Sequence, residues 1–170
     1  LLDIDYDKLY GNNTVLGRWL RSKPSIIKIN DIVFTHGGVS EEFLEKHGVD
    51  LDGINAMMRK NNTFTKEQLK STNYYDLYYG QKGLIWYRGY FEKYEANLTD
   101  KNINKILKLL NANTIVVGHT TQEKIVPLFN NKIFGVDSGL KYGLDGEILI
   151  IKNNRFYRGN LDGNLTEFKN

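Results

Sequence analysis

The chain has 170 residues, of which 41% are hydrophobic, and none of them is cysteine. A chain of this length can bury a substantial core within one domain, and the absence of cysteine excludes a disulfide framework, a thiolate metal site and a cysteine nucleophile. Because the net charge is only +3 and its 23 basic and 20 acidic residues are mixed along the chain, we expect no nucleic-acid partner, and the short apolar runs predict no membrane span.

The first part of the chain carries helix and strand signals in alternation. Thr14 is a capping residue for a helix that we predict over 14–21. The segment 25–34 is rich in apolar residues on both sides of Asn30-Asp31, a pattern that predicts a hairpin of two buried strands. Ser40, followed by two glutamates, marks the start of a further helix.

Residues 49–83 carry weaker signals. We predict short helices over 51–60 and 65–71, followed by the tyrosine-rich run 74–79. The sequence therefore predicts that about 49–83 is an insertion of short helices and loops within a single domain that spans 1–170.

The second half begins with the strongest helix pattern and ends in a run of strands. Thr99 caps a helix with a regular apolar stripe, and the apolar segment 114–117 predicts a buried strand. Four more strands are predicted at 124–129, 132–136, 147–152 and 155–158. Alternating helices and strands followed by strands alone predict a layered α/β fold with its sheet inside.

Two of the three histidines lie at the ends of apolar strands beside glycine. The segments are 32–38 (IVFTHGG) and 114–120 (TIVVGHT), which hold His36 and His119. Side chains just beyond a buried strand project into the crevice where α/β sheets bind ligands, and neutral imidazole is a common ligand of divalent metals. Two interpretations stay open, a shared metal ion or two structural, hydrogen-bonded histidines. His47, before Gly48 at a helix end, is interpreted as structural.

Several blocks together resemble those of the calcineurin-like metallophosphoesterases, and of the bacterial Shewanella-like protein phosphatases in particular. In chain order they are 16–21 (LGRWLR), 34–40 (FTHGGVS), 83–89 (GLIWYRG), 117–120 (VGHT) and 136–139 (VDSG). The resemblance implies a layered β-sandwich flanked by helices, of which this chain would be the C-terminal part.

The resemblance also implies a chemistry. Members of this family hydrolyse phosphomonoesters with two metal ions, Mn, Fe or Zn, that share a bridging carboxylate. By this resemblance His36 and His119 would bind the second metal, and Arg88 would hold the phosphate oxygens. Phosphorylated proteins or small phosphoesters are the implied substrates, without a nucleic-acid or membrane partner. Alternative functions are a symmetrical dinucleoside-tetraphosphate hydrolase and a non-catalytic domain that binds phosphate or a partner.

Two candidate roles have structural alternatives. Arg88 would otherwise form a surface salt bridge or a cation–π contact with Trp86. Asp137 would either accept a hydrogen bond from a metal-binding histidine or close the turn into Gly139.

The chain departs from the family pattern in two respects. Leu84 stands where the family has proline, and the three motifs that supply the remaining metal ligands, the bridging carboxylate and the general acid are absent. We expect them upstream of Leu1 and expect the chain to be inactive alone. A cytoplasmic location is expected, although any signal peptide would also lie upstream; oligomeric state stays open.

Overall fold

The computed structural model describes residues 5–95 and 98–169, which hold seven α-helices and eight strands in two sheets. The helices are α1 Tyr6–Leu9, α2 Val15–Arg21, α3 Glu41–His47, α4 Leu51–Asn61, α5 Lys66–Lys70, α6 Tyr75–Tyr79 and α7 Asp100–Leu110. The strands are β1 Ile26–Ile29, β2 Ile32–Thr35, β3 Thr114–Val117, β4 Val126–Leu128, β5 Ile133–Gly135, β6 Ile148–Lys152, β7 Arg155–Gly159 and β8 Leu165–Glu167.

The first sheet has the strand order β1-β2-β3-β5-β4. Its three central strands, β2, β3 and β5, run parallel, and an antiparallel strand closes each edge. The register places Thr35 at the end of β2 beside Val117 at the end of β3. Both strands therefore end at the same level, and the residues that follow them meet at one edge of the sheet.

The second sheet, β6-β7-β8, is antiparallel and packs on one face of the first. Phe134 of β5 is fully buried between them, with its ring centroid 4.6 Å from that of Phe156 and 5.3 Å from that of Phe168. Helices cover the opposite face, where Ile103 and Ile106 of α7 are fully buried against the sheet. The protein is a layered β-sandwich flanked by helices, which confirms the predicted fold class.

The local predictions also agree with most of the structure. Thr14, Ser40 and Thr99 each accept a hydrogen bond from a backbone N–H in the first turn of the helix that follows. The turn between β6 and β7 is the pair Asn153-Asn154, both with positive φ, as a tight hairpin requires. The short elements α1, α6 and β8 were not predicted, because none of them has an apolar pattern long enough to distinguish it from a loop.

The segment predicted as an insertion contains α4, α5 and α6. Whether it is an insertion within the domain stays a prediction. Among the described residues, no helix has the length and apolar content needed to cross a membrane.

Candidate metal and phosphate site

His36 and His119 face each other at the edge of the sheet, although 83 residues separate them in the chain. Their nearest ring nitrogens, His36 Nε2 and His119 Nδ1, are 3.0 Å apart. The backbone joins the two segments as well, because the Gly118 N–H donates to the His36 carbonyl at 2.9 Å. The register of β2 and β3 therefore brings together the two histidines that the sequence singled out.

The two glycines after His36 are required by a second segment, 84–90, that lies against them. Gly37 N–H donates to the Leu84 carbonyl at 2.7 Å, and a Cβ on Gly37 would lie 2.6 Å from the carbonyl oxygen of Ile85. A Cβ on Gly38 would lie within 2.8 Å of two tyrosine rings. Glycine is needed here because only a residue without Cβ permits this approach.

Tyr90 fixes the loop that follows His36, and sequence reasoning did not identify it. Its side chain is buried, its hydroxyl donates to the Val39 carbonyl at 2.7 Å, and it accepts from Val39 N–H at 2.9 Å. Burial raises the pKa of the Tyr90 phenol, so the hydroxyl stays a donor at physiological pH. The available signal was its position one residue after the block 83–89.

Arg88 lies beside His119 and supports its backbone. Its Nη1 donates to the His119 carbonyl at 3.2 Å. His119 has φ of 61°, a left-handed conformation that is uncommon for a residue other than glycine, and this hydrogen bond helps to hold it. The Arg88 guanidinium lies over the Tyr94 ring, 5.5 Å from its centroid, which corrects the alternative that Trp86 is its cation–π partner. Trp86 instead meets the edge of His119, with ring centroids 5.3 Å apart.

The His119 imidazole is neutral at physiological pH. Its pKa is lowered to about 4, mainly by burial and then by the positive charge of Arg88 and by His36, against the opposing effect of Asp137. Its Nε2 is buried and has no hydrogen-bond partner among the described residues. Nδ1 faces His36, so this is the nitrogen through which the ring would act.

Asp137 closes a turn. Its carboxylate accepts from the Thr121 hydroxyl at 2.9 Å and from Gly139 N–H at 3.4 Å, and no described histidine donates to it. The contacts favour the turn-closing alternative over the one in which Asp137 accepts from a ligand histidine. Its effect on His119 is electrostatic, through the negative charge that opposes the lowering of the pKa.

The residues present fit part of a metal site. Two imidazole nitrogens 3.0 Å apart match two neighbouring ligands on one ion with metal–nitrogen distances of about 2.1 Å. Within 5–95 and 98–169, no group of three or more histidine, aspartate or glutamate side chains is arranged to hold a metal ion. The described residues therefore supply two ligands, and a complete centre needs others.

A cavity of about 720 Å³ opens beside this histidine pair. Arg88 and His119 are among its lining residues, and the loops after β3 and β5 supply much of the rest. Such a volume lies within the range of small-molecule and peptide side-chain pockets.

Comparison with known proteins gives one relative named as a phosphatase and one that is uncharacterized. No family model matches the chain. A Shewanella-like protein phosphatase of Plasmodium berghei is 28% identical over 125 residues, which are 69% of this chain and 32% of that protein. An uncharacterized protein of Schizosaccharomyces pombe is 24% identical over 147 residues, which are 84% of this chain and 43% of that protein.

Solved structures give closer matches in sequence. A cold-active protein-tyrosine phosphatase of a psychrophilic Shewanella species matches with a TM-score of 0.88 and 42% identity, over 97% of this chain and 49% of that one. A second structure of a cold-active protein tyrosine phosphatase matches with a TM-score of 0.87 and 43% identity, over 96% and 47% of the two chains. The chain thus spans about half the length of these solved relatives.

These matches confirm the resemblance to Shewanella-like phosphatases that the sequence blocks indicated. The coverage fits a C-terminal portion of the calcineurin-like fold, and the two-sheet architecture agrees with it.

Proposed function

We infer, from a likeness to Shewanella-like phosphatases that extends over 96% of this chain, that it carries part of the active centre of a metal-dependent phosphatase. The proposed reaction is the hydrolysis of phosphomonoesters by a dinuclear metal centre, with phosphorylated proteins as substrates. The names of the relatives support a phosphatase in general, and the finer statements are ours.

The meeting of His36, His119 and Arg88 carries the proposal. The two imidazoles would hold one ion of Mn, Fe or Zn, which would polarise the phosphate and a water molecule when bound. Arg88 would hold the non-bridging phosphate oxygens, because its planar guanidinium keeps free donors after one has bonded the His119 carbonyl.

Metal binding by the purified chain tests the proposal. Titration calorimetry with Zn²⁺ should show one ion bound to each chain, with low affinity because the described residues supply only two ligands, and His36→Ala or His119→Ala should each weaken this binding about tenfold or more. His47→Ala is the matched control, because His47 is the last residue of α3 and lines a different cavity from the one that His119 lines. Equal affinity in the wild type and both site variants would overturn the metal assignment.

Turnover is tested on the protein that carries the upstream motifs implied by the resemblance. With Mn²⁺ and an aryl phosphate, we expect a rate that Arg88→Gln lowers about a hundredfold, since a charge that binds the transferring phosphate is lost. A rate unchanged by Arg88→Gln would count against its assigned role.

One observation favours a second candidate, a non-catalytic domain that binds phosphate or a partner. The described residues bring together only two imidazoles and no third side chain with which to complete a metal site. That protein would bind phosphate through Arg88 without turnover under any metal condition. The aryl phosphate assay therefore distinguishes the two candidates.

A further inference from the structure

The cavity beside Arg88 has a strongly basic lining. Four of its side chains are cationic (Arg88, Lys93, Lys124 and Lys141), and the only anionic one among the described residues is Glu123. The charged side chains of the lining therefore leave an excess of three positive charges in one concavity. A cavity lined by charge of one sign attracts ligands of the other sign.

The three lysines of this cavity have no anionic partner among the described residues, although Lys93 lies over the Tyr94 ring and Lys141 over the Tyr142 ring. Within the described part of the chain, no carboxylate lies in ion-pair distance of Lys93, Lys124 or Lys141. Lysines elsewhere do find such partners, as Lys82 does with Glu95 at 2.9 Å.

The walls of the cavity suit a peptide better than an isolated phosphate. Tyr94 and Tyr142 are 51% and 71% exposed, and Leu144 adds a third apolar surface. Half-exposed aromatic rings provide packing area for neighbouring side chains at little entropic cost. A volume of about 720 Å³ also leaves room for residues on either side of a phosphorylated side chain held at Arg88.

We propose that this basic cavity binds the residues that flank the phosphorylated side chain and selects phosphopeptides with an acidic neighbour. Lys124 and Lys141 face the carboxylate of that neighbour, and Tyr94 and Tyr142 pack against the peptide. This specificity rests on the proposed phosphatase function, because the phosphate itself is held by Arg88 beside the histidine pair.

Peptide binding tests the proposal without any need for turnover. The probes are three fluorescent phosphotyrosine peptides that differ only in the flanking residue, which is glutamate, alanine or lysine. The glutamate peptide should bind the wild-type chain about threefold to tenfold more tightly than the alanine peptide, as expected for one or two exposed ion pairs. The lysine peptide should bind more weakly than either, and added salt should reduce the differences.

Two double variants separate the effect of the lysines in the cavity from the effect of the net charge of the protein. Lys124→Gln with Lys141→Gln should bring the glutamate and alanine peptides to within twofold of each other. The control, Lys60→Gln with Lys152→Gln, removes the same charge from exposed positions outside the cavity and should leave the preference intact.

Other results of these binding experiments would overturn either the acidic preference alone or the proposed function as well. Equal affinities for the three peptides, or the same loss in both double variants, would overturn the acidic preference alone, provided that Arg88→Gln still weakens every phosphopeptide. A further outcome is that inorganic phosphate binds the cavity as tightly as the glutamate peptide does. In that case only the phosphate is recognised, and the acidic preference is also wrong. Phosphorylated and unphosphorylated peptides that bind equally would overturn the proposed function, and the preference with it.

Discussion

At the scale of single residues, the site depends on a backbone approach that leaves no room for a side chain. The carbonyl groups of Leu84 and Ile85 lie against Gly37, and neither can move without shifting the segment that carries Arg88. We expect Gly37→Ala to lower the free energy of unfolding by about 1–3 kcal/mol or more, because the new methyl group would overlap backbone atoms.

Urea unfolding measures the effect of Gly37→Ala, and Gly118→Ala is the matched control. Gly118 also borders the histidine pair, but a Cβ there would meet only the His36 carbonyl at 3.6 Å, an ordinary contact. The control should stay within about 0.5 kcal/mol of the wild type. Equal losses in the two variants would contradict the steric argument.

Tyr90 carries a second prediction at this scale. Tyr90→Phe keeps the ring and removes the hydroxyl that both donates to and accepts from Val39. Because these backbone groups are buried, we expect a loss of about 1–3 kcal/mol in unfolding free energy and weaker Zn²⁺ binding through a looser His36 loop. Tyr94→Phe, at a half-exposed ring, should change the unfolding free energy by less than about 0.5 kcal/mol.

The sequence identified His36, His119 and Arg88 because strand ends and family blocks are visible in a linear pattern. It did not identify Tyr90, whose role depends on the segment 84–90 folding against 36–39. Nor could it decide between the two roles of Asp137, because the partner Thr121 is 16 residues away and only the tertiary fold brings it close.

At the scale of elements, helix α4 is anchored to the edge strand β1 by one buried side chain. Asn55 Oδ1 accepts from Ser25 N–H at 2.8 Å and Ile26 N–H at 3.1 Å, and its Nδ2 donates to the Ile26 carbonyl at 2.7 Å. Three polar groups of the backbone thus depend on a residue in the predicted insertion, so this helix is part of the structural support of the sheet.

Asn55→Ala should therefore cost about 2–4 kcal/mol, since it leaves buried backbone groups without partners. Thermal unfolding should show the loss as a lower melting temperature. Asn62→Ala, at the exposed end of the same helix, should leave the melting temperature almost unchanged. Similar changes in melting temperature for both variants would mean that the loss comes from helix propensity and not from the hydrogen bonds between Asn55 and β1.

The end of helix α3 carries a prediction about pH. Burial lowers the pKa of His47 below its usual value of 6.5, Lys46 lowers it further, and Asp76 opposes both. Glu42 and Lys82 also line the cavity around it. The unfolded chain then binds a proton more readily than the folded one, so this histidine contributes stability above pH 6.5 that is lost as the pH falls.

Comparing wild type with His47→Gln tests this sign. When the pH is lowered from about 7.5 to 5, the wild type should lose more unfolding free energy than the variant, because only the wild type carries the titrating histidine at this position. A difference that is constant over this range would contradict a lowered pKa for His47.

The element boundaries followed closely from caps and apolar stripes, as in α2, α7 and β3. Three short strands of the second half were predicted too long or missed: β4 and β5 are each three residues, and β8 was not expected. Strand ends depend on which neighbour is available for pairing, and a single sequence does not contain that information.

At the scale of the whole molecule, an ion pair connects the second sheet to a loop of the first. Arg158 Nε lies 2.9 Å from Glu147 Oε2, which accepts from Ile125 N–H at 2.7 Å. Arg158 Nη2 donates to the Ile125 carbonyl at 2.6 Å. The loop that supplies Lys124 and Gln122 to the basic cavity is thereby tied to the sheet behind it.

Glu147→Gln should lower the unfolding free energy by about 2–4 kcal/mol, because both partners are largely buried and Arg158 would lose its counter-charge. A double-mutant cycle with Arg158→Gln should give a coupling above about 1 kcal/mol. The comparison pair is Arg155 with Glu167, 3.7 Å apart and more exposed, for which we expect coupling near zero. A coupling near zero for Glu147 and Arg158 would contradict the view that this ion pair stabilises the contact between the loop and the second sheet.

The layered α/β class could be predicted from the order of elements, but the stacking of the two sheets could not. That stacking rests on Phe134, Phe156 and Phe168, which come from three separate strands or strand ends and share no local pattern.

The pairing of β2 with β3 gives the histidine pair a significance for folding. The two rings meet only when a stretch of 83 residues has closed into a loop, and closing such long loops is a slow step in the folding of β-containing proteins. Zn²⁺ binding to the pair is consequently a reporter of the late, long-range organisation of the sheet. In a refolding experiment, we expect the metal signal to follow the helix signal and to coincide with the burial of Phe134.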